Sequence, residues 1–285
     1  MTQDMRMHWQ GRSVAFLTQH GKQHLVGPRL ERALGCRIVH TEGYDTDKLG
    51  TFTRELARPG SQMDAAREKA RIGMSLTGAS KGIASEGSFG PDPVGGFVPW
   101  NTEVLVWVDQ SLNLEITGWA HGPAQSLHRT VKTLQELQIF AHEAKFSSHH
   151  LVMRPAHEDH PSIIKGIADM PALMAAFEAC KKQSSNGMVY VENDLRAFCN
   201  PTRQDTICRA ADDLIRKLSS GCPNCNAPGF CVVRHIPGLR CRDCGRKTRL
   251  PVSEVWHCQM CKKEEERPLH IDTQADPSRC DHCNP

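Results

Sequence analysis

The chain lacks long hydrophobic runs. Its apolar stretches are short and interrupted, which excludes a membrane-spanning helix of about 20 apolar residues. The opening MTQDMRMHWQGR has no apolar core of the kind a secretory leader needs, and the expectation is a cytoplasmic protein with no membrane partner. An excess of charge of either sign is missing too. The net charge is +3, too small by itself to imply a nucleic-acid partner. Cysteine is scarce through most of the chain, where only Cys36, Cys180, Cys199 and Cys208 occur before Ser219. The other nine of the thirteen follow that point. In a compartment that keeps thiols reduced, such a cluster reads as metal ligands and not as disulfides. At 285 residues the chain is long enough for one large domain plus a small one.

Eight of the late cysteines form four Cys-x-x-Cys pairs, Cys222/Cys225, Cys241/Cys244, Cys258/Cys261 and Cys280/Cys283. Such a turn lets two thiolates converge on one ion, and two of them supply the four sulfurs of a structural zinc site. Taken in order, Cys222, Cys225, Cys241 and Cys244 hold one zinc, and Cys258, Cys261, Cys280 and Cys283 hold the other. An interleaved, cross-braced pairing fits the same spacing. The expected layout is a main domain over residues 1–218, a first zinc ribbon over 219–250 and a second over 251–285. Cys231, His235, His257, His270 and His282 are spare donors that two complete tetrahedra do not need. A basic run, Arg240 to Arg249, stands in the tail, but eight thiolates and two Zn²⁺ turn the tail's small positive balance negative. Nucleic-acid binding is therefore weakly supported, and a structural or protein-docking role is the default for the ribbons.

Ahead of the tail the pattern is that of an α/β fold. Ser13–Thr18 reads as a strand, a loop containing Lys22 follows, and a helix is expected to start at Pro28. Cys36–His40 reads as the next strand. Ser61 is an N-cap for a helix over SQMDAAREKARIGMSLTG. Asn101–Asp109 and the LEITGWAHG segment read as further strands, and Ser126–His142 as a helix with a core face. Glu86 stands where a short apolar segment meets Gly87, a place at which a carboxylate can approach a ligand. In MVYVENDLRA, Glu192 and Asp194 alternate along a strand and share a side, together with Arg196, next to Arg203.

The order of these features resembles the Maf-type and inosine-triphosphatase-type nucleoside triphosphate pyrophosphatases. It consists of a strand, a loop with Lys22, an acidic helix reading Asp64-Ala65-Ala66-Arg67-Glu68-Lys69-Ala70, and the segment Ile83-Ala84-Ser85-Glu86-Gly87, with Thr202-Arg203 near the last helix. The resemblance spans roughly residues 10–218 and rests on motif order. It implies a mixed-sheet α/β fold and Mg²⁺-dependent hydrolysis of a nucleoside triphosphate or related phosphorylated small molecule. It further implies that Asp64 and Glu86 share the Mg²⁺ as catalytic acids, while Lys22 and Arg203 hold the nucleotide. Glu192 and Asp194 are read as lining the same cleft. The competing reading is a zinc-ribbon module, binding nucleic acid or protein, on a non-catalytic α/β scaffold.

Overall fold

The computed structural model describes residues 3–44, 60–269 and 273–285. His270, one of the spare donors, lies outside them. The chain is a mixed α/β protein that separates into two compact units. Gln10–Ile215 form one, and Met1–Trp9 with Arg216–Pro285 form the other.

The larger unit begins with β1 (Ser13–Leu17), α2 (Lys22–Leu34), β2 (Arg37–Thr41) and α3 (Gln62–Thr77), after the short α1 (Gln3–Arg6) of the other unit. β3 (Lys81–Pro91), β4 (Pro99–Asp109) and β5 (Leu114–Pro123) follow as an antiparallel meander. The five strands form one sheet in the order β2-β1-β3-β4-β5, with β1 parallel to both β2 and β3. β6 (His128–Val131), α4 (Leu134–Glu143), β7 (Leu151–Pro155), β8 (Ile164–Ile167), α5 (Met170–Gln183) and β9 (Val189–Asn193) build a second, antiparallel sheet in the order β6-β9-β7-β8. Its core joins Leu137 and Phe140 of α4 to Phe177 of α5 and Met153 of β7. α6 (Pro201–Leu218) closes the unit.

Glycines fix which helix covers which face of the first sheet. A Cβ on Gly82 would strike Met74 and the Ala70 carbonyl, so α3 lies directly on that face. A Cβ on Gly118 would strike the Ala210 carbonyl and Leu214, so α6 lies as close on the other. α2 shares the α6 side, where Arg29 pairs with Asp212. The chain thus leaves β1 over one face to reach β2 and returns over the opposite face to reach β3. That reversal falls at the carboxyl end of β1, where β3 runs on beyond it, the usual ligand position in open α/β sheets.

Several boundaries differ from the sequence reading. Pro28 does not start α2. Gly21, at φ 71°, turns the chain into the helix at Lys22 and leaves Pro28 inside it. The 126–142 segment is divided, because His128–Val131 pair with β9 and only the part from Leu134 is helical, capped by Thr133. Glu86 is not in a turn. β3 runs on to Pro91 because β4 pairs with it along its whole length.

In the smaller unit β10 (Cys231–Pro237), β11 (Pro251–His257) and β12 (Glu264–Pro268) form one antiparallel sheet. This pairing crosses residue 250, so the expected boundary between two ribbons falls inside a single sheet. The N-terminal segment belongs here as well. The Trp9 indole N–H donates to the Leu218 carbonyl at 3.2 Å, and Met5 fills the place a side chain on Gly221 would take.

Candidate functional site

The eight cysteines gather into two groups, Cys222, Cys225, Cys258 and Cys261 in one and Cys241, Cys244, Cys280 and Cys283 in the other. The in-order assignment is thereby corrected to the interleaved one. Strand pairing is the reason. β10 and β11 are antiparallel with Cys231 opposite His257, which returns Cys258 to the start of β10 beside the Cys222 turn. A bridge between Cys241 and Ala275 brings the last pair beside Cys241 in the same way.

Within the groups, Cys222–Cys261 and Cys225–Cys258 sulfurs are 3.6 and 3.7 Å apart, and Cys241–Cys283 and Cys244–Cys280 are 3.8 and 3.6 Å apart. Four sulfurs at the Zn–S distance of about 2.3 Å from a common centre stand roughly 3.8 Å from one another in a tetrahedron. The donor set and its spacing therefore fit two structural zinc ions. The turns share one backbone solution. The residue after the second cysteine has positive φ at Asn226, Gly245 and Lys262, and its N–H bonds back to the first cysteine's carbonyl at 2.9 to 3.0 Å. The Asn224 side-chain amide donates to the Cys261 sulfur at 3.5 Å, a bond that favours a ligating thiolate.

The second site lies at the carboxyl end of β1. β1 and β3 pair through Ala15–Gly82 and Phe16–Ile83, so Ser85, Glu86 and Gly87 stand just past the end of β1. Lys22, the first residue of α2, reaches across and donates from Nζ to the Ser85 carbonyl at 3.0 Å and the Ser85 hydroxyl at 3.2 Å. Its ammonium is 3.9 Å from Glu103 Oε2. Arg203, brought in by α6, donates from Nε to Glu103 Oε1 at 2.8 Å. On the α3 side of the sheet Lys69 is paired with Glu86. Lys22, Glu86, Glu103 and Arg203 are all buried, which makes their mutual compensation a requirement of the fold. Among these described residues three cations stand against two carboxylates. Burial, with Arg203 next in weight, lowers Lys22 to about 8.

The cavity that adjoins this network measures about 500 Å³ and is lined by Phe89, Phe97, Ser126, His128, Glu192 and Leu195, among others. Its wall touches the network directly. The Arg203 guanidinium lies 5.7 Å above the Phe89 ring and donates to the Leu195 carbonyl.

Of the residues read from the sequence, Lys22 and Arg203 meet at Glu103 on the α2/α6 side, Glu86 stands on the α3 side of the same stretch of β3, near enough for its charge to act on Lys22, and Glu192 lines the adjoining cavity. Asp64 does not join them. It accepts hydrogen bonds from the Ser61 backbone and hydroxyl as the capping box of α3, pairs with Arg67, and is 61% exposed. The Ser61 bonds are the main reason its carboxyl lies below the usual range. Asp194 is a brace. It accepts from Arg196 and from the Gly166 N–H; burial pushes its carboxyl up, and the Arg196 contacts outweigh that push. Glu103 and Lys69 were missed. Lys69 stands in the quoted Ala-x-x-Lys-Ala stretch but looks like any exposed helix cation. Glu103 sits between polar Thr102 and the Val104–Val108 run, and only the register places it against Gly87 and Arg203.

No helix among the described residues is long and apolar enough to cross a membrane. A family model described as a domain of unknown function, DUF6671, matches residues 69–285, and the chain belongs to that family. The match takes in Lys69, Glu86, Glu103, Arg203 and all eight clustered cysteines, while Lys22 lies before it. No curated protein matches the chain in a sequence comparison.

Proposed function

We propose that this member of the DUF6671 family binds the anionic end of a phosphorylated small molecule at the β1/β3 crevice, with the zinc-held unit serving a structural role. The observation that carries the reading is the cluster of three cations, Lys22, Lys69 and Arg203, with Glu86 and Glu103 at a topological switch point. α2 adds to it, since it starts at Lys22 after the carboxyl end of β1 and its N-terminus has no side-chain cap. The adjoining cavity, with Phe89 and Phe97 on one side and His128 and Glu192 among its polar groups, suits the remainder of a nucleotide-sized ligand.

This retains the phosphate-binding part of the resemblance to inosine-triphosphatase-type pyrophosphatases and drops the Asp64–Glu86 pair as a Mg²⁺ site. Hydrolysis is the narrower form of the proposal. It requires Glu86 or Glu103 to exchange a cationic partner for Mg²⁺, whose ligands are carboxylates, phosphate oxygens and water.

Titration calorimetry with pyrophosphate and with nucleoside triphosphates, with and without Mg²⁺, tests the binding. Lys22→Gln should weaken affinity about tenfold or more, as loss of a charge-assisted contact does. Asp64→Asn should leave affinity unchanged. Failure of every phosphorylated compound to bind would sink the proposal. Binding without pyrophosphate or phosphate release would remove only the hydrolase form. The basic run in the tail does not speak for nucleic acid, because Arg242, Arg246 and Arg249 already engage Asp243, His282 and Asp281.

A further inference from the structure

A second concave site lies between α2 and α6, on the larger unit and apart from the buried network. It encloses about 330 Å³ and is lined by His24, Leu25, Pro28, Arg29, Arg32 and Cys208. Three of the six are basic. Arg29 is shared by the Asp212 carboxylate, at 3.0 and 3.2 Å, and the Cys208 sulfur. Arg32 is exposed and has no acidic partner among the described residues. Pro28 has no N–H to give, so the His24 carbonyl does not receive its i+4 hydrogen bond. One helix acceptor without its usual donor thus stands between two residues that line the groove.

Each feature asks for a different part of one ligand. Arg32, with the free edge of Arg29, asks for carboxylate. The Cys208 sulfur is the nucleophile, and the Arg29 guanidinium lies beside it. We infer that the α2/α6 groove is a modification site at which Cys208 forms a mixed disulfide with a small acidic cysteinyl peptide supplied as its symmetrical disulfide. The Cys208 thiolate attacks one sulfur of that disulfide. The new S–S bond forms as the old one breaks, and the departing thiolate takes up the proton that Cys208 released. Cys208 and one sulfur of the reagent end as the oxidised pair, and the other sulfur is reduced to thiol.

The other cysteines outside the two metal groups explain why Cys208 is the selective target. Cys36, Cys180 and Cys199 are buried, and burial raises them to about 12, 11 and 12. Cys231 reaches the surface to a similar degree as Cys208 but sits in β10 opposite His257, outside the α2/α6 groove. It is the internal control.

The test uses full-length, zinc-loaded protein and three disulfides at equal concentration: oxidised glutathione (anionic), hydroxyethyl disulfide (neutral) and cystamine (cationic). Peptide mapping by mass spectrometry reads adduct formation at each cysteine over time. Cys208 should be the principal site and should react about tenfold faster with oxidised glutathione than with cystamine, the gain expected of modest electrostatic steering. Arg32→Gln, an exposed substitution that leaves the fold intact, should remove most of that difference. Equal rates for the three reagents, modification of Cys231 as fast as Cys208, or an Arg32→Gln protein that keeps the full preference would each overturn the inference.

Discussion

Gly87 stands opposite Glu103 in the β3–β4 register, and the space its side chain would occupy is filled by the Glu103 carboxylate and the Arg203 guanidinium. The absence of one Cβ is what lets an ion pair lie flat on the sheet with both partners out of water. Gly87→Ala should therefore cost about 1–3 kcal/mol, the usual price of overpacking a closed site. Gly90→Ala, three residues on in the same strand, meets nothing within 4 Å and should be near neutral. Urea unfolding of the two variants makes the comparison, and equal effects would mean that the close approach at Gly87 carries no energetic weight.

Glu103 holds two cations and has no exposure of its own. Glu103→Gln keeps the shape but leaves Arg203 and Lys22 buried without their counter-charge. Losing one partner of a buried pair costs about 3–5 kcal/mol. Urea unfolding again reads the loss. A cost below about 1 kcal/mol, the range of an exposed pair, would show that water reaches the network.

How far the network was legible in the sequence depends on where its members sit. Lys22, Glu86 and Arg203 are singular residues in their segments, a lysine in the loop before a helix, an acid among small residues and an arginine opening the last helix. Such positions stand out by composition. Glu103 and Lys69 owe their roles to the β3–β4 register and to the face of α3 that meets the sheet, and neither is written locally. Asp64 shows the opposite failure. Its spacing from Ser61 fits a capping box, and the local hydrogen bonds within the first turn of α3 claim the carboxylate before any ligand can. The cysteine turns were legible one by one because each is a local structure. Their pairing was not, since 222/225 finds 258/261 only through the antiparallel return of β10 and β11.

Lys22 gives the crevice a pH dependence whose sign is fixed. Burial lowers it from 10.5 to about 8, so the folded protein releases this proton earlier than the unfolded chain. Below about pH 8 both states carry it and the cost of burying the charge is fully present. Between about 8 and 10.5 the unfolded state binds more protons, and the contribution of Lys22 to stability rises with pH. Anion affinity runs the other way and should fall as pH passes through about 8, since the neutral amine no longer attracts phosphate. Pyrophosphate titrations across that range should show the decline in the native protein and lose it in Lys22→Gln. A flat profile in both would remove Lys22 from the binding site.

The interleaved zinc groups predict how the smaller unit fails. Metal analysis of the full chain should give about two zinc per molecule, the number two four-thiolate sites require. If each ribbon were closed within itself, a chain ending at Leu250 would keep Cys222, Cys225, Cys241 and Cys244 and retain one ion. In the structure those four cysteines belong to different groups, and every group loses two ligands at that cut. The shortened chain should therefore bind no zinc tightly, and its β10 should lose the β11 partner that shapes the sheet. Single substitutions separate the sites from each other. Cys222→Ser and Cys258→Ser should impair one and the same ion, Cys241→Ser and Cys280→Ser the other, which cobalt substitution can read from the loss of thiolate-to-metal absorption in each variant. In the double variant Cys222→Ser with Cys258→Ser, half of the metal should remain. Loss of both ions from that double variant, or one ion retained by the chain ending at Leu250, would restore the in-order pairing.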